Sequence, residues 1–182
     1  GGRYLKQSQA IARAEVMIEE GADIIDVGGA SARPGARVVP EQVELARVIP
    51  VIEALAQHSQ VMISIESTHL SVMQAAIEAG AQMVNSINAL KTPGALSLIA
   101  KSGVYVCLMH MKGVPQTMQE NPEYRHVVDE VVSALQARID DCLKAGIKPE
   151  QIIVDPGFGF GKTLAHNILS LIHISEPTRH LL

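Results

Sequence analysis

A chain of 182 residues, 47% hydrophobic and with a formal charge of −4, is long enough for one core and has no basic surplus for a nucleic-acid backbone. Aromatic residues are 3% of the sequence, too few for a base-stacking platform, and no apolar run approaches the roughly 20 residues that cross a bilayer. No secretory leader opens the chain, so the expectation is a cytoplasmic domain that handles small molecules, without nucleic acid or membrane as partners. Gly1-Gly2-Arg3-Tyr4 reads like the interior of a longer protein. Cys107 and Cys142 lie in separate apolar segments, outside any CxxC pair, and read as buried reduced thiols.

In chain order, a helical segment over 7–20 closes at Gly21 and is followed by the run Ile24-Ile25-Asp26-Val27. A second helix, 41–57, leads into Val61-Met62-Ile63-Ser64-Ile65. A third, 71–79, ends at Gly80 before Met83-Val84-Asn85-Ser86-Ile87. A fourth, 94–101, ends at Gly103 before the run 104–109. The longest helix, 124–145, carries Val127, Val128, Val131, Val132, Leu135, Ile139 and Leu143 as an apolar stripe, and closes at Gly146 before Ile152-Ile153-Val154-Asp155. Runs this apolar suit parallel strands covered on both faces, and five alternations of strand and helix predict an α/β fold.

An open doubly wound sheet gathers its polar residues at one switch point, whereas a barrel sets them around the ring of strand ends. Asp26, Glu66-Ser67, Asn85 with Asn88, His110 with Lys112, and Asp155 make such a ring, which favours the barrel. The expectation is a partial (β/α)8 TIM barrel with about five of eight units, one strand missing before Gly1 and two after Asp155. The barrel domain is assigned to residues 1–171. Helical periodicity begins near Leu164 and is lost at Pro177, and the segment resembles a translated sequencing adapter, so residues 172–182 are expected to be a non-native tail.

The segment Asp155-Pro156-Gly157-Phe158-Gly159-Phe160-Gly161-Lys162-Thr163 imitates a phosphate loop, but Pro156 stands where that pattern needs glycine. Lys162 likewise breaks the dinucleotide fingerprint. One reading places Asp155 at the barrel mouth, with the glycines turning the backbone so that Phe160 stays near a ligand; the other is a plain turn capped by the aspartate.

This loop, together with Leu108-Met109-His110-Met111-Lys112-Gly113, Thr117-Met118-Gln119-Glu120-Asn121-Pro122 and Ala22-Asp23-Ile24-Ile25-Asp26-Val27-Gly28-Gly29, resembles dihydropteroate synthase, in order and spacing from Gly1 to about Leu171. The resemblance implies a transferase of folate biosynthesis. It would join 6-hydroxymethyl-7,8-dihydropterin diphosphate to 4-aminobenzoate and release diphosphate, with Mg²⁺ carried on the leaving group. It implies pterin-binding roles for Glu66, Asn85 and Asp155, and contact with aminobenzoate or diphosphate for Ala32, Arg33, Pro34 and Phe160. No residue is assigned as catalytic. His69, His126 and His166 have no partners at metal-ligand spacing, so no protein metal site is expected. His110 is expected to be hydrogen-bonded structure, Lys112 a surface charge, and Asp26 an orienting group. The resemblance also leaves room for a homodimer in a full-length parent.

The departures fall in the motifs themselves. Ala30 and Ala32 stand where the family has glutamate and threonine, Glu66 where it has the pterin-contacting aspartate, and Ser86 where an aspartate follows the asparagine. Losing a buried, paired group costs about 1–3 kcal/mol, so together these predict weakened turnover. Two alternatives follow: a non-catalytic relative that keeps pterin affinity, and a pterin-binding barrel of the methyltetrahydrofolate-dependent methyltransferase type. The Met109-to-Lys112 run and the glycine-rich loop resemble the synthase rather than the latter.

Overall fold

A computed structural model describes residues 3–174 of the chain, with side chains as far as Leu171. Strands β1 (Ile24–Gly28), β2 (Met62–Glu66), β3 (Met83–Ser86), β4 (Tyr105–Met109) and β5 (Ile152–Asp155) alternate with helices α1 (Gln7–Glu19), α2 (Glu41–His58), α3 (Leu70–Glu78), α4 (Ala95–Ser102), α5 (Val127–Lys144) and α6 (Leu164–Ile174). Among the described residues one 3-10 turn, Pro149–Gln151, enters β5. The helices lie within one to three residues of the limits read from periodicity. At Gly80 the φ of +115° admits the reversal that stops α3, a conformation costly for residues with a Cβ. The expected tail begins inside α6, and its residues 175–182 lie outside the described ones.

All pairings are parallel and the spatial order is β1-β2-β3-β4-β5, identical to the chain order. Each strand is therefore followed by a helix and a neighbour on the same side, with no switch point. This is the wall of a partial (β/α)8 barrel, five strands of it.

The pleat sorts the strand residues into two sets. Ile25, Ile63, Ile65, Val84, Val106 and Leu108 point outward under the helices, all 3% exposed or less, and meet Val48, Ile52, Val72, Met73, Ile99 and Val131 in one core. Burying each such side chain contributes about 1.5–3 kcal/mol, which is why the outer face holds almost nothing polar. The other set, Asp26, Ser64, Glu66, Asn85, Cys107 and Asp155, alternates with the first and lines the inner face of the arc.

Asp26 sits mid-strand, two residues before the end of β1, and not at a strand terminus as expected. Ser86 belongs to the outward set. It is fully buried, accepts a hydrogen bond from the Leu90 N–H at 2.8 Å and donates one to Asn88 Oδ1 at 2.9 Å. Its side chain is thus spent on the turn after β3 and faces away from the barrel interior.

Candidate functional site

The inner-face residues come together by register. Gly28, Glu66, Asn85, Cys107 and Ile153 are level across all five strands, and Asp155 lies one pleat higher, beside Met109. With strands about 4.8 Å apart and a rise of about 3.3 Å per residue, Asn85 and Asp155 stand about 10 Å apart across the wall and about 7 Å along it. The three residues expected to read a pterin thus share one face.

Asn85 donates its amide Nδ2 to Asp26 Oδ2 at 3.0 Å, while its buried Oδ1 has no partner. Asp26 therefore fixes the amide with its acceptor turned free, the orienting role expected for it. A buried carbonyl oxygen left unpaired costs about 1–3 kcal/mol, a debt that a hydrogen-bond donor on a ligand would cancel. Glu66 sits among acids: burial, then Asp26, then Glu44 push its carboxyl up to about 7. Near neutrality it holds a proton part of the time and can donate as well as accept. Cys107 lies between Asn85 and Ile153, and burial, with Asp155 and Asp26, pushes its thiol up to about 12. Both cysteines are free and buried.

Asp155 ends β5 and caps the turn that follows. Its Oδ1 accepts the Gly157 N–H at 2.7 Å, the turn-capping bond, which leaves Oδ2 as the freer oxygen of the fork. The loop beyond is held from several sides. A Cβ on Gly157, whose φ is +71°, would overlap the His110 carbonyl oxygen, so this glycine lets the loop lie directly on the segment after β4. Gln119 receives Lys162 N–H at 3.0 Å and donates to Lys162 O at 3.1 Å; Tyr124 donates to Gly161 O at 2.8 Å; and Gly159 N–H reaches Asn167 Oδ1 at 2.8 Å.

At the centre is Lys162, 1% exposed and the largest fully buried side chain among the described residues. Its Nζ lies 2.9 Å from His110 Nδ1, 3.1 Å from Gly157 O and 3.3 Å from Phe160 O. Burial lowers the amine to about 8, against a raising effect from Asp155. Burial and the Lys162 charge lower His110 to about 4. An ammonium offers no acceptor, so His110 presents a bare Nδ1 and carries its proton on Nε2. Lys162 was read from sequence only as the residue that spoils a nucleotide motif; it is the clamp that shapes the loop carrying Asp155 and Phe160. Lys112, expected at the surface, is half exposed and lies 4.4 Å from the centre of the Tyr124 ring.

The aminobenzoate and diphosphate set is less assembled. Ala32 lines a cavity of about 300 Å³ together with Glu66 and His69, whereas Arg33 lines a different cavity, of about 610 Å³, beside Asp26 and Arg47. Pro34 is exposed and Phe160 half-buried in the clamped loop. The loop from Gly29 to Pro40 arches over the strand ends, its tip tied by Gly35 N–H to Pro115 O at 3.1 Å and by Gln116 Nε2 to Ala36 O at 3.3 Å.

Sequence reasoning also missed Glu44. It lies on the same face of α2 as Val48, Val51 and Leu55, is 1% exposed, and places Oε2 2.7 Å from His69 Nδ1. A glutamate in an apolar helical stripe was the available signal. Among the described residues no helix is long and apolar enough to cross a membrane.

The profile of the family described as pterin binding enzyme matches residues 1–181. The chain belongs to the pterin-binding enzyme family. It is 46% identical to the dihydropteroate synthase of Haemophilus influenzae over 175 residues, covering 96% of the chain and 64% of that protein. It is 47% identical to the Escherichia coli K12 dihydropteroate synthase, covering 97% and 62%. Among solved structures of pterin-binding enzymes, the Yersinia pestis dihydropteroate synthase with a sulfonamide drug complex superposes with a TM-score of 0.93 at 46% identity, covering 96% of the chain and 64% of that structure. The Xanthomonas albilineans dihydropteroate synthase in complex with 7,8-dihydropteroate gives 0.83 at 40% identity, covering 96% and 61%. The chain thus spans less than two thirds of the length of the curated relatives it matches.

Proposed function

We propose that the chain carries the pterin-reading part of a dihydropteroate synthase. In this reading the parent protein joins 6-hydroxymethyl-7,8-dihydropterin diphosphate to 4-aminobenzoate in the cytoplasm, as a homodimer. The observation that carries it is the inner-face set in which Asn85 Oδ1 is buried and unpaired while Asp155 keeps Oδ2 free. A dihydropterin offers ring N–H and exocyclic amino donors in one plane, and two fixed acceptors at different heights match such a donor edge. Glu66, which holds or yields a proton near neutrality, supplies the third contact. The names of the similar proteins support the same choice, since one solved relative is described with 4-aminobenzoic acid and another with 7,8-dihydropteroate.

The chemistry asks little covalent work of the protein. The methylene–oxygen bond to diphosphate breaks, the arylamine nitrogen forms the new carbon–nitrogen bond, and the amine gives up a proton. The protein holds the ring, excludes water and stabilises the departing charge. Arg33, in the arching loop, suits the last task, and Phe160 the wall beside the arylamine. A magnesium ion of the kind the resemblance implies would neutralise diphosphate. Among the described residues no three His, Cys, Asp or Glu side chains converge to hold a metal, so these residues do not fit a resident ion.

A second reading, a pterin binder without turnover, is favoured by Ala30, Ala32 and Glu66, which remove or lengthen groups at the mouth. The domain is proposed as residues 1–171, with 172–182 as a non-native tail; re-amplifying the source DNA across that junction tests this. The function is tested by restoring the flanking segments from the genomic locus and measuring diphosphate release with 4-aminobenzoate present. Release above the enzyme-free control is expected. Release equal to it, with pterin binding retained in calorimetry, selects the second reading, and loss of both removes the pterin assignment.

A further inference from the structure

The turn after β3 holds two successive non-glycine residues in the left-handed region, Ala89 at a φ of +51° and Leu90 at +55°. A Cβ makes that conformation costly, and such residues persist where their surroundings fix them, often beside functional sites. Both side chains are buried, at 4% and 1% exposed. Their backbone is held by Arg138, reaching in from α5. Its Nε donates to Ala89 O at 2.8 Å and its Nη2 to Leu90 O at 3.1 Å, while Nη1 is steadied by Asp141 Oδ2 at 2.6 Å. Successive carbonyls of a left-handed turn point the same way, so one planar guanidinium meets both; in an extended chain they would alternate.

This turn follows directly on the amide assigned to the pterin. The β2–β3 register ends at the pair Glu66 and Asn85, and β3 runs beside β4 for one residue more, Ser86. Asn85 is thus the last rung on its β2 side, with its buried Oδ1 unpaired. Beyond it the turn takes over. Leu90 N–H returns to Ser86 Oγ at 2.8 Å, Asn88 Nδ2 donates to Thr92 Oγ1 at 3.1 Å, and Thr92 Oγ1 donates to Thr68 O at 2.8 Å, just past Glu66. The left-handed pair is what brings Leu90 N–H back to Ser86, so loosening it releases the ends of β3 and β2 together.

We infer that Arg138 is a positioning residue for the free acceptor of Asn85, and so for the pterin. By holding Ala89 and Leu90 left-handed it fixes the end of β3, acting from the helical layer through the backbone of the turn. The inference rests on the proposed reading of Asn85 as a pterin contact.

The test uses the protein with its flanking segments restored, titrated by calorimetry with 6-hydroxymethyl-7,8-dihydropterin diphosphate where circular dichroism shows each variant folded. Arg138→Met is expected to weaken the pterin at least tenfold, and Arg138→Lys, which keeps the charge but not the fork, by an intermediate factor. Glycine adopts the left-handed region freely, so adding Ala89→Gly to Arg138→Met is expected to regain at least threefold. A role confined to stability would leave the affinity of the folded variant unchanged. Arg138→Met within twofold of the parent, or no regain with Ala89→Gly, therefore overturns the inference. If Arg138→Met does not fold, Arg138→Lys with and without Ala89→Gly makes the same comparison.

A second readout needs no ligand: the side-chain amide signal of Asn85 in nitrogen–proton NMR, identified by its loss in Asn85→Ser. It is expected to shift in Arg138→Met and to return toward the parent position with Ala89→Gly, while the amide of Asn167, which holds the other loop, stays in place. An unmoved Asn85 signal overturns the inference. A parent protein that does not bind the pterin removes the proposed function, and the amide signal then decides by itself whether Arg138 positions Asn85.

Discussion

Two loops shape the mouth of this barrel, and they are built in opposite ways. The loop after β5 is held by a buried lysine, a tyrosine, a glutamine that bonds it twice, and a glycine laid on a neighbouring carbonyl. The loop after β1 is mostly exposed and meets the opposite rim through two tip contacts, at Gly35 and Gln116. The first carries Asp155, whose Oδ1 is fixed by the Gly157 N–H; the second carries Arg33 and Pro34, both exposed. Preorganisation is therefore concentrated on one side of the mouth. Substitutions should have unequal consequences accordingly.

The largest effect is expected at Gly157. Gly157→Ala forces a methyl into the His110 carbonyl at a φ of +71°, so the loop must leave β4 or the backbone must shift. A loss of about 3 kcal/mol or more in urea unfolding is expected, with pterin affinity falling with it. A stability within 1 kcal/mol of the parent would mean the loop is not seated on His110 in solution.

Lys162→Met comes next. It keeps the volume but strips His110 Nδ1 and the Gly157 and Phe160 carbonyls of their donor, so a loss of about 2–3 kcal/mol is expected. The pH dependence is more specific. The amine falls from 10.5 to about 8 on folding, so the unfolded chain binds the extra proton between those values and stability rises with pH across pH 8 to 10.5. Lys162→Met should lack this rise. Parallel stability–pH curves for the two proteins would contradict the burial of a charged amine here.

The sequence was informative about the strands and far less so about the clamps. Runs such as Ile152-Ile153-Val154 and the glycines that stop the helices reflect local, periodic constraints, and they read directly as alternating strand and helix. The ring of polar strand ends was also legible, since a core does not choose Asn85 or Asp155. Lys162 and Glu44 were not, because each owes its role to a partner that only the fold brings near: His110 lies 52 residues from Lys162 and His69 25 residues from Glu44. Ser86 misled for a related reason. Its departure from the family suggested a lost ligand contact, but the pleat turns position 86 outward, so the hydroxyl serves the turn to Leu90. The resemblance groups Arg33 with Phe160, and the periodic pattern says nothing of the cavity that Arg33 lines beside Asp26.

Glu66 sharpens the comparison from the ligand side, with a smaller effect. Its carboxyl rises from 4.5 to about 7 on folding, so the native state binds the extra proton and the associated stability is full below pH 4.5 and lost as pH rises through 7. Glu66→Gln should remove that decline, leaving the variant more stable than the parent by about 1–2 kcal/mol at pH 8 and less favoured at pH 4. His110 works in the opposite sense between about 4 and 6.5, so the difference between parent and variant isolates the Glu66 contribution. A pH-independent difference would show that Glu66 is solvated and not squeezed by Asp26 and Glu44.

The smallest effect belongs to the open loop and completes the contrast with Gly157. Gly35 also has a positive φ, +72°, but a Cβ there meets no atom within 4 Å. Gly35→Ala therefore incurs only the left-handed backbone cost, about 1 kcal/mol, with no steric overlap. Its N–H to Pro115 O survives the substitution, so the tip keeps its tie to the far rim. Urea unfolding of the two alanine variants side by side separates conformational cost from collision at nearly the same φ. A difference of at least 2 kcal/mol is expected, and near-equal losses would mean that backbone strain alone, not the seating of one loop on another, governs both positions.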